Sequence, residues 1–187
     1  MFSVSDNVFL AFDLETTGLK PYTGDRIIEI AAIPIHNNKI NYKYSYYSLV
    51  NPEVTVTAST AKYHKLSDKD ISKAPFLKDV FPKFKNYIST SVLVSHNIEM
   101  DLKFLDMAAK ESGIFPVRNY YIDTLELSRY FVDMRSYKLE TLAKRFKIDT
   151  ENFHRAWDDA VTTAKLFLKL LNIFKIKDVS DFIKKWG

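Results

Sequence analysis

VFLAFDLETTG, residues 8–18, is the stretch on which the fold turns. The apolar run Val8–Phe12 leads straight into Asp13, and after Leu14 and Glu15 the chain meets Thr16-Thr17-Gly18. A short apolar run bounded by turn residues reads as a buried strand, here expected over Val8–Leu14, running into a turn. Strand side chains alternate faces, so Asp13 and Glu15, two apart, project to the same side. Side by side at the end of an apolar strand, two carboxylates repel each other unless something neutralises them. A divalent cation does this directly, and oxygen-only ligation suits Mg2+ or Mn2+. Taken alone, the pair is better described as two solvated acids at a strand end.

Working outward, Ile27–Ile35 and Ile40–Val50 are rich in β-branched and aromatic residues, and His36-Asn37-Asn38-Lys39 between them supplies turn chemistry for a hairpin. Pro34 cannot donate to a ladder, so a bulge or strand end is expected there. Phe76, Val80, Phe81, Phe84, Tyr87 and Ile88 then recur at helical spacing. Ser91–Ser95 reads as a strand before a helix over Glu99–Glu111. Tyr120–Ile122 reads as another strand, before a helix over Asp123–Phe131. Leu139, Leu142, Ala143 and Phe146 mark a further helical stripe. The last long helix carries Trp157, Ala160, Val161, Ala164, Phe167, Leu168 and Leu171. Val179, Phe182, Ile183 and Trp186 also have helical spacing, expected to pack on their own domain. Three strands followed by strands alternating with helices predict an α/β fold, a five-stranded mixed sheet with helices on both faces.

The chain has 187 residues, 47% of them apolar and 14% aromatic, enough for one domain with a real core. No repeat, low-complexity tract or Gly/Ser linker divides it, so residues 1–187 are expected to form a single domain. The absence of cysteine excludes disulfides, thiolate zinc sites and cysteine nucleophiles. It suits a reducing cytoplasm, the expected location. The run Val8–Phe12 is too short for a signal peptide or a membrane span, and no membrane association is expected. A net charge of +4 and a pI near 9.0 fit a polyanionic partner, and equally a lysine-rich surface.

Two further acidic positions accompany Asp13 and Glu15. Asp101 opens the helix after Ser91–Ser95, where the macrodipole favours an acid. It lies three and four residues before Phe104 and Leu105, so it can share their core-facing side, whereas Glu99 sits at the wrong angle. The last cluster is His154-Arg155-Ala156-Trp157-Asp158-Asp159-Ala160. On a continuous helix, residues five apart differ by about 140° and cannot converge. His154 is therefore expected on the preceding loop and Asp159 near the helix N-terminus, with Asp158 turned to solvent.

FDLETTG, SHNIEMDLKFL and HRAWDDA, in that order, resemble the three motifs of the DEDDh exonucleases, a family that includes the proofreading epsilon subunit of bacterial DNA polymerase III and its stand-alone relatives. The resemblance runs from Phe12 to about Phe167. The sister group carries tyrosine four residues before its last aspartate, where Arg155 stands here, while His154 fits H-x-A-x-x-D-A. The resemblance implies a ribonuclease H-like fold and metal-dependent 3′→5′ hydrolysis of phosphodiesters with two divalent cations, Mg2+ or Mn2+. It implies Asp13, Glu15, Asp101 and Asp159 as the metal ligands, which with His154 as general base form the catalytic set. An imidazole titrates close enough to neutrality to take a proton there.

For substrate binding the resemblance implies backbone groups near Thr16 and Thr17 for the terminal 3′-hydroxyl, Leu19 beside the base, and Asn97 from the H-N pair. His64 matches the histidine of an H-G-[IL] contact motif, read here as His64-Lys65-Leu66 with lysine in place of glycine. His96 is expected to be a structural histidine. Ser95, where glycine is common, Met100, where an aromatic is common, and Lys147, where glycine often ends a helix, depart from the pattern, and none removes a ligand. Oligoribonucleases typically carry methionine after the first glutamate, and Thr16 stands here instead. That favours the 3′ end of single-stranded DNA as substrate, with an RNA-directed exoribonuclease as the alternative. A DNA polymerase subunit is an expected partner, and a catalytically silent polymerase-docking module is the reading from another class.

Overall fold

The structure is a computed structural model and describes residues 2–5, 7–56, 64–150 and 153–187. Its strands are β1 (Phe9–Thr16), β2 (Ile27–His36), β3 (Lys39–Ile40), β4 (Tyr46–Leu49), β5 (Val92–Ser95), β6 (Tyr120–Asp123) and β7 (Lys184–Lys185). The α-helices among the described residues are α1 (Asp68–Ile71), α2 (Leu77–Ile88), α3 (Glu99–Glu111), α4 (Thr124–Phe131), α5 (Leu139–Arg145) and α6 (Ala156–Ile173). The strands join in one mixed sheet of order β3-β2-β1-β5-β6-β7, with β4 also paired to β2. β1 runs antiparallel to β2 and parallel to β5, and β5 runs parallel to β6.

The central place of β1 explains its composition. Leu10, Phe12 and Leu14 point into a core with Phe81 and Phe84 of α2 and Leu102 and Leu105 of α3. Phe9 and Ala11 point the other way, toward Leu127 of α4, Leu142 of α5 and Phe167 and Leu170 of α6. A strand covered on both faces is apolar throughout rather than alternating. The sheet thus carries α2 and α3 on one face and α4, α5 and α6 on the other.

Among the described residues seven strands stand where the sequence predicts five, for two local reasons. The expected strand Ile40–Val50 is split into β3 and β4 by a 3-10 turn at Tyr42–Tyr44. β2 itself runs through Pro34 without interruption, Leu10 pairing with Pro34. Pro34 has no N–H to offer the edge, although its carbonyl accepts from Asn41 N at 2.9 Å, and the neighbour departs there. The irregularity in β2 lies further back. Glu15 pairs with Glu29 but Thr16 with Ile27, leaving Ile28 as an extra residue beside the acids. The hairpin turn is as expected, with Asn37 and Asn38 at φ 50° and 58°.

The C-terminal stretch is not helical beyond a 3-10 turn at Ser180–Phe182, and it supplies β7. Asp178 Oδ1 accepts from Ser180 N at 2.8 Å and from Ser180 Oγ at 2.6 Å, a local turn that competes with a helix start. The segment does pack on its own domain. Val179, Phe182 and Ile183 join the core under α4 and α6, and Trp186 Nε1 donates to Asp106 Oδ2 at 2.8 Å.

Candidate active site

At the end of β1 the sheet presents Asp13 and Glu15 on the face that α6 crosses. Asp159, in the first turns of α6, meets them there. One carboxylate oxygen from each of Asp13, Glu15 and Asp159 lies within 4.8 Å of the others. Asp101 comes from the first turn of α3. Its Oδ2 accepts from Ser95 Oγ at 2.8 Å, and its charge raises the pKa of Asp13 and Glu15. Asp101 thus acts on Asp13 and Glu15 through its charge, while the carboxylates that meet within 4.8 Å are those of Asp13, Glu15 and Asp159. Glu99 is exposed and pairs with Lys103 at 2.7 Å, away from them.

Burial, with the charges of neighbouring carboxylates, holds all four above the usual carboxylate range. Desolvation is the largest cause for Asp13, followed by Asp101, Asp159, Glu15 and Glu29. Glu15 is pushed up to about 8, first by burial and then by Asp159, with Arg155 opposing. Asp101 rises to about 7 through burial and Asp123, against the hydrogen bond from Ser95. Asp159 rises to about 7 through burial and the charges of Asp158, Glu140 and Glu29, against the hydrogen bond from His154 N. Asp159 Oδ1 is buried and has no hydrogen-bond partner among the described residues. An all-oxygen donor set with an unmatched buried oxygen fits hard divalent cations. This cluster is a candidate divalent metal site.

His154 lies outside α6, as its spacing from Asp159 requires, with φ 65°. Its N–H donates to Asp159 Oδ2 at 3.0 Å, and Nε2 stands 3.4 Å from Glu140 Oε1 with the side chain half exposed. Asp158 is half-buried rather than turned fully to solvent, and lines a surface hollow with Tyr47, Arg155 and Trp157. His96 is structural: Nδ1 contacts Thr124 Oγ1 at 2.9 Å and Nε2 contacts Tyr137 O at 2.8 Å.

The loop after β1 is held from within. Thr16 Oγ1 donates to Gly18 O at 2.6 Å, and Arg26 N donates to Thr17 Oγ1 at 2.9 Å. Asp25 accepts from Thr17 Oγ1 at 3.3 Å and from Lys20 N at 2.8 Å. A Cβ at Gly18 would collide with that carboxylate, which explains the glycine. Leu19 is left 75% exposed at the tip. Asn97 is exposed at φ 65°, its N–H bonded to Asp123 Oδ1 at 2.9 Å. His64 is different. It is buried, with Nδ1 accepting from Leu66 N at 3.1 Å.

Several residues of the site escaped the sequence reading. Glu29, fully buried, binds Arg155 and Tyr47, and a charge inside IIEIAAI was the available signal. Asp123 was read only as a helix start, yet it also accepts from Asn97 N and Ile98 N ahead of α3. Asp25 carried no signal beyond its place in a turn.

The same fold occurs in solved nucleases. The nuclease domain of 3′hExo, described as a DEDDh family member bound to rAMP, superposes with a TM-score of 0.79 at 15% identity, over 97% of this chain and 96% of that one. Exonuclease X, solved with 5′-overhanging duplex DNA, gives 0.71 at 24% identity over 88% and 92%. The architecture is that of the ribonuclease H-like exonucleases. Residues 10–167 match the family model described as Exonuclease (RNase_T), and the chain belongs to that exonuclease family. It is also 39% identical over 177 residues, 92% of its length, to a DNA polymerase III PolC-type of Caldanaerobacter subterraneus subsp. tengcongensis. The chain spans 12% of the length of that relative.

Proposed function

We propose that residues 1–187 form a single exonuclease domain that removes nucleoside 5′-monophosphates from the 3′ end of single-stranded DNA. The observation that carries this reading is the meeting of Asp13, Glu15 and Asp159 oxygens within 4.8 Å, with the Asp101 charge acting on Asp13. Asp13, Glu15 and Asp159 would hold one divalent cation, and Asp101 would join Asp13 for a second, with Mg2+ or Mn2+ suited to both. Such cations, when bound, relieve charge on the phosphate and stabilise the attacking and departing oxygens.

The chain's own residues do the rest. His154 takes the proton from the attacking water as its oxygen bonds to phosphorus. The bond from phosphorus to the 3′-oxygen of the preceding nucleotide breaks, and that oxygen is protonated from solvent. The backbone of Thr16 and Thr17, held rigid by Asp25, seats the terminal 3′-hydroxyl. Exposed Leu19 packs against the terminal base, and Asn97 reaches the strand from the start of α3. Likeness to a DNA polymerase III PolC-type supports DNA as substrate and a polymerase as partner, as does Thr16 after Glu15.

The test is digestion of end-labelled single-stranded DNA and RNA of equal sequence, with Mg2+, with Mn2+, with chelator, and with Asp13→Ala. A ladder of 3′-shortened DNA products, absent with chelator and in the variant, is expected. Shortening that survives chelation and Asp13→Ala, or no shortening at all, would reject the assignment. Faster digestion of RNA would move the substrate to RNA.

A further inference from the structure

Glu29 sits where a carboxylate is least expected, in the apolar first half of β2 and 0% exposed. Among the described residues its carboxylate accepts hydrogen bonds from two places. Tyr47 OH donates to Oε1 at 2.7 Å from the edge strand. The remainder come from the turn that carries His154: Arg155 Nη2 at 2.7 Å, Arg155 Nε at 3.1 and 3.2 Å, and Ala156 N at 2.9 Å. Ala156 opens α6, and its N–H is one of the donors that a helix leaves without an internal partner. Glu29 therefore grips both the residue after His154 and the first residue of the helix that bears Asp159.

The same turn is closed from the other side. Asp159 N donates to Arg155 O at 2.9 Å, and Asp159 Oδ2 accepts from His154 N at 3.0 Å. The unit 154–159 is thus tied to β2 through Glu29, beside the Arg155 Nη2–Tyr47 Oη bond of 3.1 Å and the approach of His154 Nε2 to Glu140 Oε1 at 3.4 Å. Glu29 is also the cross-strand partner of Glu15. A guanidinium released from Glu29 would stand beside the acidic cluster and compete with a cation for it. Stability alone is a weak reason for such an arrangement, because a buried ion pair replaced by packed apolar groups is often neutral. Its geometry is instead specific to one turn.

We infer that Glu29 is a positioning residue for the reaction: it clamps the 154–159 turn onto β2, setting His154 and Asp159 against Asp13 and Glu15 while holding Arg155 off the cluster. The inference rests on the exonuclease reading for its kinetic consequence, and not for its effect on cation binding. Glu29 touches no reacting atom.

Glu29→Gln keeps the shape but turns an amide toward Arg155 and Ala156. It should lower kcat about 10- to 100-fold and weaken Mn2+ binding by a comparable factor, with KM for the strand little changed. Glu29→Asp, which keeps the charge but shortens the reach, should fall between. At saturating Mn2+, the same Glu29→Gln change in a His154→Ala background should cost far less in residual turnover, because the turn has already lost its base.

Equal losses in both backgrounds, or a lowered melting temperature with unchanged kcat, would overturn the inference. Should Glu29→Gln fail to fold, Arg155→Lys takes its place in the cycle, since lysine cannot reproduce the fork. A wild-type protein that binds Mn2+ but shortens no strand would reject the nuclease reading. Calorimetry of Mn2+ on Glu29→Gln then decides alone: weakened binding supports the clamp, and unchanged binding ends it.

Discussion

The backbone of His154 is bonded to the acidic cluster, and its ring faces Glu140. The main chain is held at φ 65° by the bond to Asp159, while the half-exposed imidazole has Glu140 at 3.4 Å. Removing the ring therefore spares the carboxylates. His154→Ala is expected to lower kcat about 100- to 10,000-fold, the usual contribution of a general base, and to leave Mn2+ titration heats as they were. Turnover equal to wild type would remove the base role, and lost Mn2+ binding would make the ring a ligand instead. At this scale Asp13 and Glu15 were legible because alternation along a strand is strict. Asp159 and His154 were legible because helical geometry forbids their meeting on one helix. Glu29 was not, because its meaning lies in register: only once Glu15 is known to face Glu29 do the neighbouring donors on α6 come into view.

Between residue and molecule lies the way one strand end holds two helices. Asp123, the last residue of β6, caps α4 through Leu125 N at 2.8 Å. It also accepts from Asn97 N at 2.9 Å and Ile98 N at 3.3 Å, the turn that leads into α3 and Asp101. Asp123→Ala removes all three acceptances and should cost about 1–3 kcal/mol. For a chain of this size each kcal/mol corresponds to about 2–4 °C in Tm. Asp123→Asn keeps one acceptor and is itself a good cap, so it should melt between the two. An alanine variant melting with the wild type would show the cap to be idle. Elements with strong periodicity were legible to within a residue, as α3 at Glu99–Glu111 shows. Those that failed were decided by local competition. The carboxylate of Asp178 turned a helix-spaced tail into a 3-10 turn and a short strand, and Pro34 broke the strand beside it rather than its own.

The whole molecule pays for its site in pH dependence. Glu15, Asp101 and Asp159 hold protons up to about 8, 7 and 7 in the fold, and Asp13 is raised as well, while the unfolded chain releases them near 4. A folded state that binds more protons than the unfolded one loses stability as pH rises. The contribution of these groups is therefore full below about pH 4 and is lost progressively toward about pH 8, once Glu15 has ionised. A divalent cation inverts this, because it needs the ionised carboxylates and must displace their protons. Without metal, Tm should fall from about pH 5 to about pH 8, and Mn2+ should raise Tm more at the higher pH than at the lower. Asp159→Asn, neutral and of the same shape, should show a flatter metal-free slope and a smaller Mn2+ shift, which separates the site from every other titrating group. If wild type and Asp159→Asn gave parallel curves with and without Mn2+, the acids would not be acting as one cation-binding unit.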